Sequence, residues 1–82
     1  MTQEVEQLMG QGNWDAAAQR CSELILEHPT NARLQGYLGL CHFRKQAFAE
    51  AATCFQKALL LDEKFWEAAL KLAQCLDRLM KY

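Results

Sequence analysis

The chain repeats itself. Trp14 to Leu26 return in altered form as Phe48 to Leu60, a step of 34 residues, with Ala17 matched by Ala51, Ala18 by Ala52, Leu24 by Ala58, Ile25 by Leu59 and Leu26 by Leu60. The register continues through Leu38 and Leu72, Gly39 and Ala73, Cys41 and Cys75, and Arg44 and Arg78. A fixed step of this length marks a repeat architecture, in which each unit buries its apolar face against the next. Function is therefore expected on the stacked surface.

Length and composition narrow the choices further. Eighty-two residues make one small domain, able to bury only roughly 60 to 65% of its unfolded surface. Half of the residues are apolar (51%), with a single proline and no low-complexity run, which fits a packed domain and not a disordered chain. The formal charge is −1, so the electrostatic drive for binding a phosphate backbone is missing and no nucleic-acid partner is expected. The start MTQEVEQL lacks the basic and apolar regions of a signal peptide, and no apolar run approaches the roughly 18 residues of a spanning helix. The expected location is cytoplasmic, without membrane insertion.

Helix signals divide the chain into five segments. The first covers about residues 2–10 and is closed by Gly10 to Asn13, with Asn13 placed to cap the second. The second runs from about Trp14 to Glu27, because Pro29 disfavours helix at His28. Thr30 is in position to cap the third, whose Leu34, Leu38 and Cys41 recur on one face. Lys45, Gln46 and Ala47 must then turn the chain without a glycine. The fourth covers about Phe48 to Leu61, and Asp62 is placed to cap a fifth that starts near Lys64. Short turns between such helices give antiparallel neighbours. Gly39, Ala51, Ala58 and Ala73 remove bulk where helices cross, while Trp14, Phe48 and Phe55 fill the space between layers.

At this point the residues resemble a known family. Ala32 to Phe65 is similar to a tetratricopeptide repeat, with Leu38-Gly39, Ala51, Phe55 and Ala58 at that family's spacing and with Gln35, His42 and Glu63 as departures. The resemblance implies an all-α, antiparallel helix-hairpin solenoid of about two and a half tetratricopeptide repeats, in five helices. Residues 1–82 form one domain: a shortened first repeat at 1–31, a second at 32–65, and the first helix of a third at 66–82.

No catalytic constellation is visible. Cys41 and His42 are sequence neighbours whose side chains diverge by about 100° on a helix, and Cys21 and His28 lie two turns apart, roughly 10 Å along the axis. There is no phosphate loop and no HExxH. The four cysteines form no CxxC pair, so neither a metal nor a redox site is expected. Cys41 and Cys75, one repeat apart, should be separated by a helix-packing distance of about 8 to 10 Å, too far for a disulfide. They read as reduced core residues. His42 reads as a partly buried packing residue, and His28 as a complement to a helix dipole. Neither a cofactor nor enzymatic activity is expected.

A binding surface is suggested instead. Tyr37, Leu40 and Phe43 make a second apolar stripe on the third helix, beside the core stripe, where one amphipathic helix needs only one. The resemblance places Arg33, Gly36, Tyr37, Leu40, Phe43 and Arg44 on a concave groove, with Glu6 and Met9 from the first helix and Leu70, Lys71, Gln74, Asp77 and Arg78 from the fifth. Such a groove suits an amphipathic helix or an extended apolar peptide. The alternative is that Tyr37 and Phe43 fold inward and cover a neighbouring helix. Co-chaperones of this family grip a C-terminal carboxylate, but the corresponding positions here are Thr2, Glu6, Tyr37, Glu67 and Lys71. Only Lys71 keeps the needed charge, so no carboxylate-clamp chaperone tail is expected to bind.

The fifth helix is apolar over roughly 200° or more of its circumference, twice what one buried face needs. Leu72, Leu76, Leu79 and Met80 head the surplus. Either the natural chain continues past Tyr82, or this surface docks on another copy or a partner. The sequence thus supports a non-catalytic protein-interaction module or scaffold that binds a peptide or amphipathic helix. The alternative is a homo-oligomerising assembly element that uses its C-terminal helix.

Overall fold

The computed structural model describes residues 2–81 and contains, among them, five helices and no strand: α1 (Gln3–Gly10), α2 (Trp14–Glu27), α3 (Ala32–Arg44), α4 (Phe48–Leu61) and α5 (Trp66–Met80). Successive helices pack on one another in a body measuring 34 × 27 × 17 Å, and α3 also touches α5. The expected helical solenoid is what the chain forms.

Two turns one repeat apart use the same backbone device. After α1, Gly12 takes φ 76° and the Asn13 N–H donates to the Leu8 carbonyl at 2.9 Å; after α3, Gln46 takes φ 64° and the Ala47 N–H donates to the His42 carbonyl at 2.8 Å. Both close a helix end through a left-handed residue. Gln46 therefore holds a conformation that glycine adopts at lower cost, which explains how the second turn is made without one.

The caps differ from the sequence expectation at three places. Thr30 does not cap α3; Asn31 does, its Oδ1 accepting from the N–H groups of Arg33 at 3.0 Å and Leu34 at 3.3 Å. A side chain one residue earlier cannot reach those two orphan donors. Asp62 does not cap α5: it ends α4, and its carboxylate takes the Lys64 N–H at 3.1 Å, so helix resumes only at Trp66, behind Phe65. Asn13 stands at the N-cap of α2 without a side-chain bond. Asn31→Ala is expected to lower stability by about 1 kcal/mol, and Thr30→Ala to leave it nearly unchanged, as read from urea denaturation midpoints.

The core consists of two layers that are themselves related by the repeat. Val5, Ala17, Ala18, Cys21, Leu24, Leu34 and Cys41 form the first; Ala51, Ala52, Phe55, Ala58, Ala68 and Cys75 form the second. Volume is redistributed between them. Where the first layer has Val5 and Cys21, the second has Gly39 and Phe55, and the Phe55 ring lies 2.8 Å from the point where a Cβ on Gly39 would stand. Gly39 is thus the recess into which the largest side chain of the second layer fits. All four cysteines are buried and free. Burial pushes the Cys21 thiol up to about 12 and Cys41 to about 11, which leaves both as inert thiols at neutral pH. His42 is half-buried as expected, and its pKa is lowered, first by desolvation and then by Lys45. His28 stands exposed at the C-cap of α2.

Candidate functional site

The alternating order of the helices places α1, α3 and α5 side by side on one face, where side chains link them. The Tyr37 hydroxyl of α3 donates to Glu6 Oε2 of α1 at 2.5 Å. Burial raises the Tyr37 pKa, the bond to Glu6 adds to this, and Arg33 opposes it. The Arg33 guanidinium is itself held above its ordinary value, first by Tyr37 and then by the carboxylates of Glu6 and Glu67. One end of the face is therefore a polar cluster of Glu6, Arg33, Tyr37 and Glu67.

The other end is aromatic and cationic. Phe43 meets the edge of Phe48, with ring centroids 5.4 Å apart at 78°, and Lys71 Nζ lies 5.1 Å from the Phe43 ring centroid. Arg44 lies over Trp14 and Arg78 over Phe48, each at 5.7 Å. The last two contacts are the same contact one repeat on, since both partners advance by 34 residues. Arginine at the end of an odd-numbered helix thus clasps the aromatic that starts the even-numbered helix of the preceding repeat. Among the described residues, Arg44, Lys71 and Arg78 lie over rings and not in ion pairs, whereas Lys45 bonds Asp15 at 2.6 Å and Lys81 bonds Asp77 at 3.2 Å.

Two recesses open between α3 and α5. The larger, about 700 Å³, is bordered by Phe43, Leu70, Gln74, Asp77 and Arg78. The smaller, about 110 Å³, has Gly36, Tyr37, Leu40, Phe55, Phe65 and Lys71 at its walls. Tyr37, Leu40 and Phe43 are each half-buried: Tyr37 leans on the first core layer and the other two on the second, while their remaining surface faces this cleft. Each ring or branch of the stripe thus covers the core with one side and is open on the other.

The remaining candidates separate into three groups. Leu70 and Gln74 are exposed at the cleft and Lys71 stands half-buried between them. Met9 is half-buried against the first core layer, and Arg33 and Arg44 are exposed at the two ends of α3. Gly36 is buried, with the Phe65 ring 3.1 Å from where its Cβ would stand, so its part is close packing of α3 on the turn before α5. On α5, Leu76, Leu79 and Met80 are exposed at 45, 41 and 86%. Leu72 departs from that group, because it packs against the second core layer. Phe48 and Ala73 border the face without having been singled out for it. The repeat pairing of Trp14 with Phe48 and of Arg44 with Arg78 was the signal that could have found Phe48.

Among the described residues no three His, Cys, Asp or Glu side chains converge as metal ligands, and no helix is long and apolar enough to cross a membrane. The family model described as tetratricopeptide repeat matches residues 2–64. No curated protein matches the chain.

Proposed function

The chain belongs to the tetratricopeptide repeat family, and from that premise we propose that it is a non-catalytic interaction module that holds an amphipathic helix or an apolar peptide in the cleft between α3 and α5. Repeats of this family are in general protein-interaction elements. The observation that carries the reading is the Phe43 site: an aromatic floor, open on one side, with Lys71 and Arg78 poised over rings and, among the described residues, in no ion pair. An apolar ridge on the partner would fill the recess beside Leu40, Phe43 and Leu70, and acidic groups flanking that ridge would meet Arg44, Lys71 and Arg78. Arg33 and Met9 would contact the partner toward α1. Four free thiols favour a reducing, cytoplasmic setting for this work.

The test is an NMR titration with a synthetic amphipathic helix bearing acidic flanks. Amide shifts centred on Tyr37, Phe43, Leu70, Lys71 and Gln74 are expected, and shifts confined to the outer faces of α2 and α4 would overturn the reading. Acidic C-terminal tails of cytosolic heat-shock chaperones are expected to show no specific binding in calorimetry. Glu6 is already bonded to Tyr37 and Glu67 sits near Arg33, so a terminal carboxylate would meet Lys71 alone against two carboxylates. Specific heat on titrating such a tail would remove that conclusion.

A second reading, homo-oligomeric assembly through α5, is favoured by a separate observation: Trp66, Leu76, Leu79 and Met80 stand 70, 45, 41 and 86% exposed on one helix. The two readings use different sides of α5 and are compatible.

A further inference from the structure

The smaller recess between α3 and α5 lies where the preceding repeat is filled. Gly36, Phe55 and Ala68 are buried at its floor, Leu40 and Phe65 are half-buried at its walls, and Tyr37, Glu67 and Lys71 stand at its rim. Because α3 and α5 start one repeat apart, at Ala32 and Trp66, the counterpart of Ala68 is Leu34. That leucine is 0% exposed in the first core layer and is among the largest side chains fully buried in the chain. The second layer has an alanine methyl in its place and no side chain at all at Gly36, whose own counterpart in α5 is Leu70. Phe55 adds bulk over Cys21, but its ring is taken up against Gly39. An apolar hollow of about 110 Å³ is left. We infer that this hollow is the anchor pocket of the cleft and receives one leucine side chain of a partner helix, in place of the leucine that the second layer lacks. The inference rests on the cleft reading above and names the partner residue that the cleft selects.

Size, chemistry and charge select this occupant. An apolar cavity of about 150 Å³ holds a benzene ring, so the smaller hollow suits a branched aliphatic chain and not phenylalanine or tryptophan. Sites for free small molecules run to about 300 to 1,000 Å³, which leaves a single side chain carried by a larger partner. The side chains of floor and walls are all hydrocarbon, and a polar group entering there would lose its water without a side-chain partner to replace it. At the rim the charges are engaged unequally. Glu67 lies close enough to Arg33 to help hold that guanidinium above its ordinary value. Lys71 is in no ion pair among the described residues and rests 5.1 Å from the Phe43 ring centroid. An acidic residue of the partner, one helical turn from the leucine on the Phe43 side, would therefore face Lys71. A side chain seated in such a dry hollow, with charge contacts around it, is where binding energy concentrates in an interface.

Calorimetry on the full chain tests the pocket with three synthetic peptides: the acid-flanked amphipathic helix with one leucine at the centre of its apolar face, and versions with alanine or phenylalanine there. Both replacements should weaken binding at least roughly 10-fold, alanine by leaving the hollow empty and phenylalanine by exceeding it. Ala68→Leu restores the side chain that the first layer has. It should raise the melting temperature by roughly 4 °C as the hollow is filled, and the variant should bind the leucine and alanine helices alike. Gly36→Ala narrows the hollow from the α3 side, since its Cβ would stand 3.1 Å from the Phe65 ring. It should weaken binding of the leucine helix at least roughly threefold with helical circular dichroism retained, and it decides the question should Ala68→Leu fail to fold. Equal binding of all three helices by the wild-type chain, with amide shifts still centred on Phe43 and Leu70, overturns the pocket and leaves the cleft reading standing. Failure of all three to bind overturns both.

Discussion

Phe55→Cys is expected to destabilise the fold by about 3 kcal/mol or more, and Gly39→Val to return part of that loss when the two are combined. Phe55 is 2% exposed at the centre of the second core layer, and removing most of a buried phenylalanine costs about 3 to 5 kcal/mol through lost transfer energy and the cavity left behind. A chain of this length has a total stability of only about 4 to 12 kcal/mol, so the melting temperature should fall by roughly 12 °C or more. Gly39→Val alone should also destabilise, because a Cβ there would stand 2.8 Å from the Phe55 ring. In the double variant the second layer acquires the valine and cysteine that Val5 and Cys21 supply in the first. A double-mutant cycle in urea should therefore show a favourable coupling of about 1 to 3 kcal/mol. Additive losses would mean that the two layers do not share one packing solution.

That volume exchange also marks how far the sequence could be read. The 34-residue step exposed the five helices and which small residues lie at crossings, because both follow from periodicity and are enforced by burial over many residues. The exchange of bulk between Gly39 and Phe55 follows from the same pairing, since Val5 and Cys21 stand at the matching positions. Caps were less legible. Thr30 and Asn31 are both good cap residues in sequence, and only the path of the chain after Pro29 decides which oxygen reaches the N–H groups of Arg33 and Leu34. Asp62 has cap chemistry but falls in a turn that delays helix until Trp66. At the cleft, the apolar stripe Tyr37, Leu40 and Phe43 was visible as a surplus over one core face. Its division between packing and exposure was not, because that depends on how closely α5 approaches α3. Leu72 shows the same limit: a wide apolar arc does not say which part of it is covered until the neighbouring helices are placed.

Phe43→Glu should weaken binding of the acid-flanked amphipathic helix by at least roughly 30-fold, about 2 kcal/mol, while the chain still folds. The open side of Phe43 is the floor on which an apolar ridge would rest, and a carboxylate there would be stripped of water without a donor supplied by the partner. Its acidic charge would also repel the flanks of that partner and draw Lys71, now over the ring, into an internal pair. Folding should survive because Phe43 is half-buried at the margin of the second core layer, with a stability loss of about 1 to 2 kcal/mol from apolar contact. Lys71→Glu provides the control that leaves the core intact: it should lower affinity less, and its effect should shrink in salt because the group is partly solvated. Affinity and stability must be measured on the same samples. A Phe43→Glu chain that binds normally would remove the cleft from the function of this protein, and one that unfolds while Lys71→Glu binds as wild type would identify Phe43 as a core residue with no part in recognition.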